Sequence, residues 1–368
     1  MLEPDLRRRT DASERASNRI ASASADDLAA SGGASVAIEL VDAGHSFGSV
    51  VALEGLSLRV PFGSIHGVIG PSGAGKTTTI RLITGGLAPS SGSVTVLGED
   101  PRHFRRRTRE RIGYMPQAFV LYPDLTAGEN VSFVASLFGL LFRRRGRRVR
   151  EALELVDLWD VRNRRASQLS GGMQRRLELA CALVHEPALV ILDEPTAGLD
   201  PQLRQSIWAE LHRLRSAGRT LIVTTQYVGE AEECDIVALI AHGRLVSLAP
   251  PEDLRRQALG GEVVEIETTR AFDASSLSGL PAVIGLRQQG PRQFWVSTPD
   301  AGAATPALLA AVAAAGGEVA SAREYRPSFD EVFATLVDRA SAVDDVPVAT
   351  WATGAAAPTP HALDQMGH

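Results

Sequence analysis

Apolar positions along the chain fall into three patterns, each predicting a different kind of element. Val36-Ala37-Ile38-Glu39-Leu40 alternates apolar and polar, which predicts a strand with one covered face. Phe47 is expected in the turn after it, and Val50 to Val60 reads as a further strand pair. Pro61-Phe62-Gly63 then turns the chain into the apolar strand Ile65 to Ile69. Ala188 to Leu192 and Thr220 to Thr225 show no alternation, so they predict strands buried on both faces of a parallel sheet. Helical spacing governs Thr78 to Ile83, Val131 to Phe142, Val149 to Leu158, and the stretch from Ser170 to Val184, where Leu177, Ala180, Cys181 and Val184 share one face. Another helix follows Asp200-Pro201, with proline at its first position. Gly229 to Cys234 reads as acidic and helical, and Ile236 to Ile240 and Arg244 to Leu248 read as closing strands.

Gly260-Gly261 marks a boundary. Beyond it, Val263 to Thr268, Ala282 to Leu286, Phe294 to Ser297 and Glu318 to Arg323 read as strands. Thr305-Pro306 is expected to cap an alanine-rich helix running to Ala315. The last helix shows a capping box, Ser328 with Glu331, and an apolar face of Val332, Phe333 and Leu336. The expected division is a disordered segment 1–35, an α/β body 36–258, a small α+β domain 262–340 with no evident catalytic group, and a disordered tail 341–368.

The chemistry concentrates in Gly70-Pro71-Ser72-Gly73-Ala74-Gly75-Lys76-Thr77-Thr78. This stretch sits between a strand and a helix, the context a G-x-x-x-x-G-K-[ST] phosphate loop requires. Glycines let successive backbone N–H groups point inward at a polyphosphate, and the helix aims its positive end at the same anion. Lys76 can reach the terminal phosphates, and the Thr77 hydroxyl can hold Mg²⁺. Lys76 is the only lysine in the chain, every other basic side chain being Arg, which points to a need for a slim point charge there. Asp193 and Glu194 end the strand Ala188 to Leu192, at the carboxyl edge where ligands bind in such sheets. Asp193 suits Mg²⁺, and Glu194 suits a general base acting on water. Ser170, at an N-cap position with Gly171 and Gly172 after it, makes a second anion-ready helix start.

Composition narrows the class. The 368 residues suit one large or two modest domains, and a formal net charge of −5 argues against a bulk nucleic-acid binder. The two cysteines show no CxxC spacing, so a disulfide-free cytosolic chain is expected. Val131 to Phe142 is the longest apolar stretch and is too short for a membrane span. It suits either a partner-facing helix or buried core. The clusters Arg105-Arg106-Arg107, Arg143-Arg144-Arg145 and Arg164-Arg165 fit either solvated helix faces or contact with anionic headgroups or a polar partner at a membrane surface.

Together these residues resemble the ATP-binding subunit of an ABC transporter. Gly70–Thr78 resembles the family's phosphate loop, and Gln117 in Tyr114-Met115-Pro116-Gln117 its Q-loop. Leu169-Ser170-Gly171-Gly172-Met173-Gln174 resembles its signature motif, Leu189–Glu194 its Walker B strand, and Ala197-Gly198-Leu199-Asp200 its D-loop. Phe47 falls where the family places an aromatic that stacks on adenine. The resemblance spans about 36–250 and implies an α/β P-loop NTPase nucleotide-binding domain with a β-rich N-terminal part and a helical insertion at about 110–165. It further implies ATP and Mg²⁺ as ligands, with Thr77, Gln117 and Asp193 around the metal. A homodimer would sandwich two ATP molecules, each held by one subunit's Lys76 loop and the other's Ser170–Gly172 turn. A separately encoded integral membrane permease would dock on the helical insertion, placing the chain peripherally on the cytoplasmic face of the cell membrane, with no nucleic acid as partner. Gln226 stands where the family usually has His; it can hydrogen-bond a phosphate or water but carries no charge. The Thr224-Thr225-Gln226-Tyr227 stretch and the ending Arg326 to Phe333 are similar to the daunorubicin-resistance type of exporter ATPase. The expected function is therefore an ATPase that energises export. The alternative is a soluble ABC-type ATPase or ATP-gated regulatory subunit not coupled to transport. Only one signature motif is seen, and long heptads and zinc-spaced cysteines are missing, which argues against the ribosomal and DNA-repair classes.

Overall fold

The computed structural model describes residues 36–118 and 120–344. The disordered segments expected at 1–35 and 341–368 lie outside them, except that the last helix carries its backbone on to Asp344. The chain opens with β1 (Val36–Phe47) and β2 (Val50–Pro61), then β3 (Ile65–Ile69), α1 (Lys76–Ile83) and β4 (Ser91–Val96). A helical stretch follows: α2 (Arg106–Arg109), β5 (Ile112–Met115), α3 (Ala127–Leu137), α4 (Phe142–Leu155) and α5 (Gly171–Leu183). Next come β6 (Leu189–Asp193), α6 (Pro201–Ser216), β7 (Thr220–Thr225), β8 (Ile236–Ala241), β9 (Arg244–Ala249) and α7 (Pro251–Leu259). The last part holds β10 (Glu262–Thr268), β11 (Gly285–Gly290), β12 (Gln293–Thr298), α8 (Ala301–Ala314), β13 (Val319–Tyr325) and α9 (Phe329–Asp344).

Three sheets form. A six-stranded sheet has the order β5-β6-β7-β3-β8-β9, parallel except for β9. The unbroken apolar runs of its strands follow from burial on both sides. Ile65, Ile69, Val190, Leu192, Leu221 and Val223 face a core built with α3, α5 and α6. Val68, Leu189, Ile191, Ile222, Ala238 and Ile240 face the other core, which α1 shares with the antiparallel sheet β2-β1-β4. The four-stranded sheet β11-β12-β10-β13 covers its own core with α8. Helix α9 behaves differently: Phe329, Val332 and Leu336 pack into the core of the six-stranded body, beside Leu254 and Ala258 of α7. The end of the chain therefore folds back onto the larger unit.

Several expected elements need correction. Val50 to Val60 is one strand, because Gly55 adopts φ +61° as an irregularity within the pairing instead of a turn. Phe47 is the last residue of β1, opposite Val50, and not a turn residue. The apolar stretch Val131 to Phe142 is split: α3 starts earlier, at a Thr126–Glu129 capping box, and α4 begins at Phe142. Helix α8 starts at Ala301 with Asp300 as its cap, and Pro306 lies inside it. Asp300 accepts from the Ala303 amide, a stronger start signal than the proline, whose missing N–H costs only one early bond. Val228 to Glu233 forms a short 3₁₀ helix, β11 lies a few residues later than expected, and α7 is an additional element.

His66 sits in β3 between Ile222 of β7 and Ile236 of β8, fully buried, with both ring nitrogens lacking a hydrogen-bond partner. Burial pushes its pKa from 6.5 down to about 4, against a smaller opposing pull from Asp235. The unfolded chain takes up this proton near pH 6.5 and the folded chain only near pH 4. Stability present above that window is lost as pH falls through it. We expect His66→Leu to flatten the fall in melting temperature between pH 6.5 and 4 while holding or raising the value at neutral pH. An unchanged acid slope in thermal unfolding would contradict this.

Candidate functional site

The phosphate loop leaves the carboxyl end of β3, at the centre of the six-stranded sheet. Gly70 is obligatory for packing, since a Cβ there would lie 2.1 Å from the Ile240 carbonyl oxygen. The loop is also seated against the antiparallel sheet, where Ala52 and Leu53 crowd Gly75. Ala74 is held from both directions: its amide donates to the Pro71 carbonyl, and its carbonyl accepts from the Gly243 amide. The loop ends on Gly75, and α1 has neither a capping side chain nor an acidic residue in its first turn. The Lys76, Thr77 and Thr78 amides at that helix start thus form a backbone donor set that fits a polyphosphate.

Lys76 is buried, and its ammonium donates to the Gly70 and Pro71 carbonyls at 2.9 and 3.1 Å. It stands 3.2 Å from Glu194 Oε1. The other carboxylate oxygen of Glu194 accepts from Gln117 Nε2 at 2.9 Å. Glu194 is held in the left-handed backbone region, φ +51°, a strained place for a glutamate, by its amide donating to Thr224. Asp193 is buried behind it, accepting from the Thr224 hydroxyl at 2.6 Å and from Thr77. Burial raises the Asp193 pKa, the Thr224 hydrogen bond opposes this, and the Glu194 charge adds to the rise. Thr77, Asp193 and the side-chain oxygen of Gln117 offer a hard, all-oxygen donor set that fits Mg²⁺. On the rim, Gln226 Oε1 accepts from the Ser72 hydroxyl at 3.0 Å. A cleft of about 570 Å³ opens beside Gln226, reaching Trp208 of α6 and Asp330 of α9.

Other expected site residues stand apart from this cluster. Phe47 ends the β1–β2 hairpin, half exposed and edge-on to His45 at 4.6 Å. Ser170 caps α5 by accepting from the Met173 amide, and Gly171 faces open space. Gly172 packs so closely on α6 that a Cβ would lie 2.3 Å from Leu203. Gln174 turns its amide to the Ala166 carbonyl, a bond that braces the turn before α5. Asp200 caps α6 by accepting from the Gln202 and Leu203 amides. Among the described residues, none of the hydrogen bonds or ion pairs links the Ser170–Gly172 turn to the Lys76 loop.

Sequence reasoning missed Arg175. Its buried guanidinium donates to the Pro116 and Gln117 carbonyls, to those of Asp193, Glu194 and Pro195, and to the Glu178 carboxylate. Glu178 in turn accepts from the Val120 amide, and burial raises its pKa against the pull of Arg175. One side chain therefore ties the Gln117 loop, the end of β6 and α5 together. The i,i+3 spacing of Arg175 and Glu178 was the only available signal, and it does not say which of Arg175 and Arg176 points inward. Thr224 was also missed; its role follows from pairing opposite Asp193 across β6 and β7.

Comparisons with known proteins identify the family. The family model for ABC transporters matches residues 53–197, and the model for the C-terminal domain of DrrA1-3-like ATP-binding proteins matches 250–337. The chain is 35% identical to the daunorubicin resistance ATP-binding protein DrrA3 of Streptomyces coeruleorubidus, over 82% of this chain and 96% of that protein. It is 40% identical to the Nod factor export ATP-binding protein I of Sinorhizobium fredii, over 66% of this chain and 71% of the relative. It is 36% identical to the probable multidrug ABC transporter ATP-binding protein YbhF of Escherichia coli, where it spans only 41% of the relative's length. Among solved structures, an ATP-binding subunit of an ABC transporter superposes with a TM-score of 0.55 at 28% identity, over 60% of this chain and 92% of that one. The dimeric ATP-binding cassette MJ0796, bound to ADP and Pi, gives 0.53 at 27%, over 58% and 98%. The chain belongs to the ATP-binding proteins of ABC transporters, the ATPases of that family, and carries a DrrA-like C-terminal domain.

Proposed function

We propose that the chain hydrolyses ATP, with Mg²⁺, to drive export of a substrate through a separately encoded membrane permease. The observation that carries this reading is the buried contact of Lys76 with Glu194, itself bound to Gln117. In this arrangement the loop amides and Lys76 hold the terminal phosphates, and Glu194 orients and deprotonates the attacking water. Thr77 and Asp193 hold Mg²⁺, which when bound neutralises phosphate charge and polarises the γ-phosphoryl group. Lys76 turns from Glu194 to the substrate phosphates, so Glu194 is freed for its base role by the arrival of ATP. Gln226, held by Ser72, contacts the γ-phosphate or the water through neutral hydrogen bonds.

The Ser170–Gly172 turn, with Gly171 facing open space, completes the site from a second copy of the chain. The ATP-bound state is thus a head-to-tail homodimer. Residues 36–258 act as the ATP-hydrolysing body and 262–340 as an accessory domain. The permease docks beside Gln117, where Val120, Tyr122 and Phe133 are exposed and the Tyr122 and Phe133 rings meet edge-on at 5.0 Å. Among the described residues no helix is long and apolar enough to cross a membrane. In this reading the permease holds the chain peripherally on the cytoplasmic side. Similarity to drug and Nod factor export subunits supports export over a transport-free ATPase.

Three outcomes test this. Glu194→Gln should cut phosphate release at least about a hundredfold, keep ATP affinity, and accumulate a dimer with ATP-Mg²⁺ in light scattering; a monomer would count against it. Gln226→His should leave hydrolysis intact or raise it, and a large loss in steady-state ATPase assays would show a site rebuilt around glutamine. Arg175→Met, which strands the Glu178 carboxylate and several carbonyls, should cost about 3 kcal/mol or more in denaturant unfolding and suppress turnover. A fully stable, active variant would remove Arg175 from the positioning of Gln117 and Glu194.

A further inference from the structure

Two segments far apart in sequence meet at one corner. Arg106 Nη2 in α2 lies 3.6 Å from where a Cβ would stand on Gly139, in the break between α3 and α4. Arg106 is thereby brought to the break that precedes the run Arg143 to Arg145. At the same corner Leu137, Leu141 and Phe142 are 68%, 65% and 84% exposed. Phe142 is held at φ +44°, a costly conformation for a bulky residue.

An ordinary solvated helix face would match these cations with carboxylates one turn away. Here that matching is only partial, and Arg105 is met by Glu99. Glu110 pairs with Arg106, Glu151 with Arg147 and Arg148, and Glu154 with Arg150. Among the described residues, no ion pair reaches Arg107, Arg143 or Arg144. The first turn of α4 has no acidic residue, so its arginines oppose the helix dipole. The chain as a whole is acidic, with formal net charge −5, so this positive corner is a local feature that bulk charge does not explain.

Protruding apolar side chains with arginines next to them in the chain match the boundary between phospholipid headgroups and acyl chains. There the apolar tips insert and the arginines pair with phosphate. The corner also continues the exposed face through Phe133 and Tyr122. We propose that the α3–α4 corner, with the adjoining arginines of α2, rests directly on anionic phospholipid beside the permease. This rests on the reading of the chain as a membrane-associated subunit, and adds a lipid contact that the permease does not supply.

The test uses the full chain, purified without any permease, sedimented with phosphatidylcholine vesicles made with or without phosphatidylglycerol. Binding is expected only to the anionic vesicles and should weaken with salt. At about 1 kcal/mol per basic residue near an anionic surface, Arg143→Ala with Arg144→Ala should lower the partition coefficient about thirtyfold. Leu141→Ser with Phe142→Ser should also weaken binding but keep the salt dependence. Arg287→Ala with Arg292→Ala, the same charge change on the exposed β11–β12 hairpin, should leave it unchanged, and all variants should keep wild-type nucleotide affinity. No binding to anionic vesicles, or equal loss from the remote pair, overturns the proposal. So does binding that needs embedded permease. In that last case, or if the chain captures permease yet ignores vesicles, the transport reading stands while the lipid contact falls.

Discussion

A buried guanidinium organises the carboxyl edge of the six-stranded sheet. Arg175 projects from α5 into the junction of the Gln117 loop and the end of β6, where it satisfies five backbone carbonyls and one carboxylate. Carbonyls at a strand end have no ladder partner, and burying them unpaired is expensive. A planar cation with five fixed donors meets that demand where lysine could not. The position of Gln117, and through it the Gln117–Glu194 bond, thus depends on a residue two places beyond the signature glycines and one methionine. Side-chain contacts thus join α5 directly to the end of β6.

The second constraint is charge neutrality inside the phosphate loop. Lys76 and Glu194 are both buried, and each covers the other's charge, helped by the Gly70 and Pro71 carbonyls and the Gln117 amide. A buried pair of this kind adds little net stability, because desolvation offsets most of the attraction. Its effect is positional: the Glu194 carboxylate is held at the start of α1 beside the loop amides. The left-handed backbone of Glu194, fixed by Thr224, stores strain at the same point. Thr224 of β7 thus steadies the Asp193 carboxylate and the Glu194 backbone.

The surface follows a different logic from the core. The helical stretch puts its apolar residues on two sides. Val131 and Ala135 enter the core, while Phe133 and Leu137 stay outside. The buried-core reading of Val131 to Phe142 thus holds for Val131 and Ala135, while Phe133 and Leu137 lie on the opposite, exposed face of the same helix. At the far end, α9 returns to the ATPase body, where Arg255 of α7 stacks on Phe329 at 4.3 Å. The accessory sheet is thereby tethered at both its start and its end.

Much of this protein was legible in one dimension. Strand–loop–helix context and the single lysine singled out the glycine-rich loop between β3 and α1. Unbroken apolar runs located the buried strands, because a strand covered on both faces has no polar face to show. Asp200, Ser170 and Ser328 were readable as caps, since capping acts within three or four residues. Sequence failed where geometry depends on distant partners. It read Val50 to Val60 as a strand pair and placed a helix cap at Thr305-Pro306, where cross-strand pairing and the Asp300 cap prevailed. It could not choose between Arg175 and Arg176, because the choice depends on carbonyls contributed by a loop and a strand end far along the chain. The approach of Arg106 to Gly139, just before the arginines after Phe142, was equally invisible. Local sequence determined the elements and the reactive loop, through rules that operate within one helical turn. Tertiary structure alone decided which charges meet, because burial and pairing arise only when separate segments are packed together.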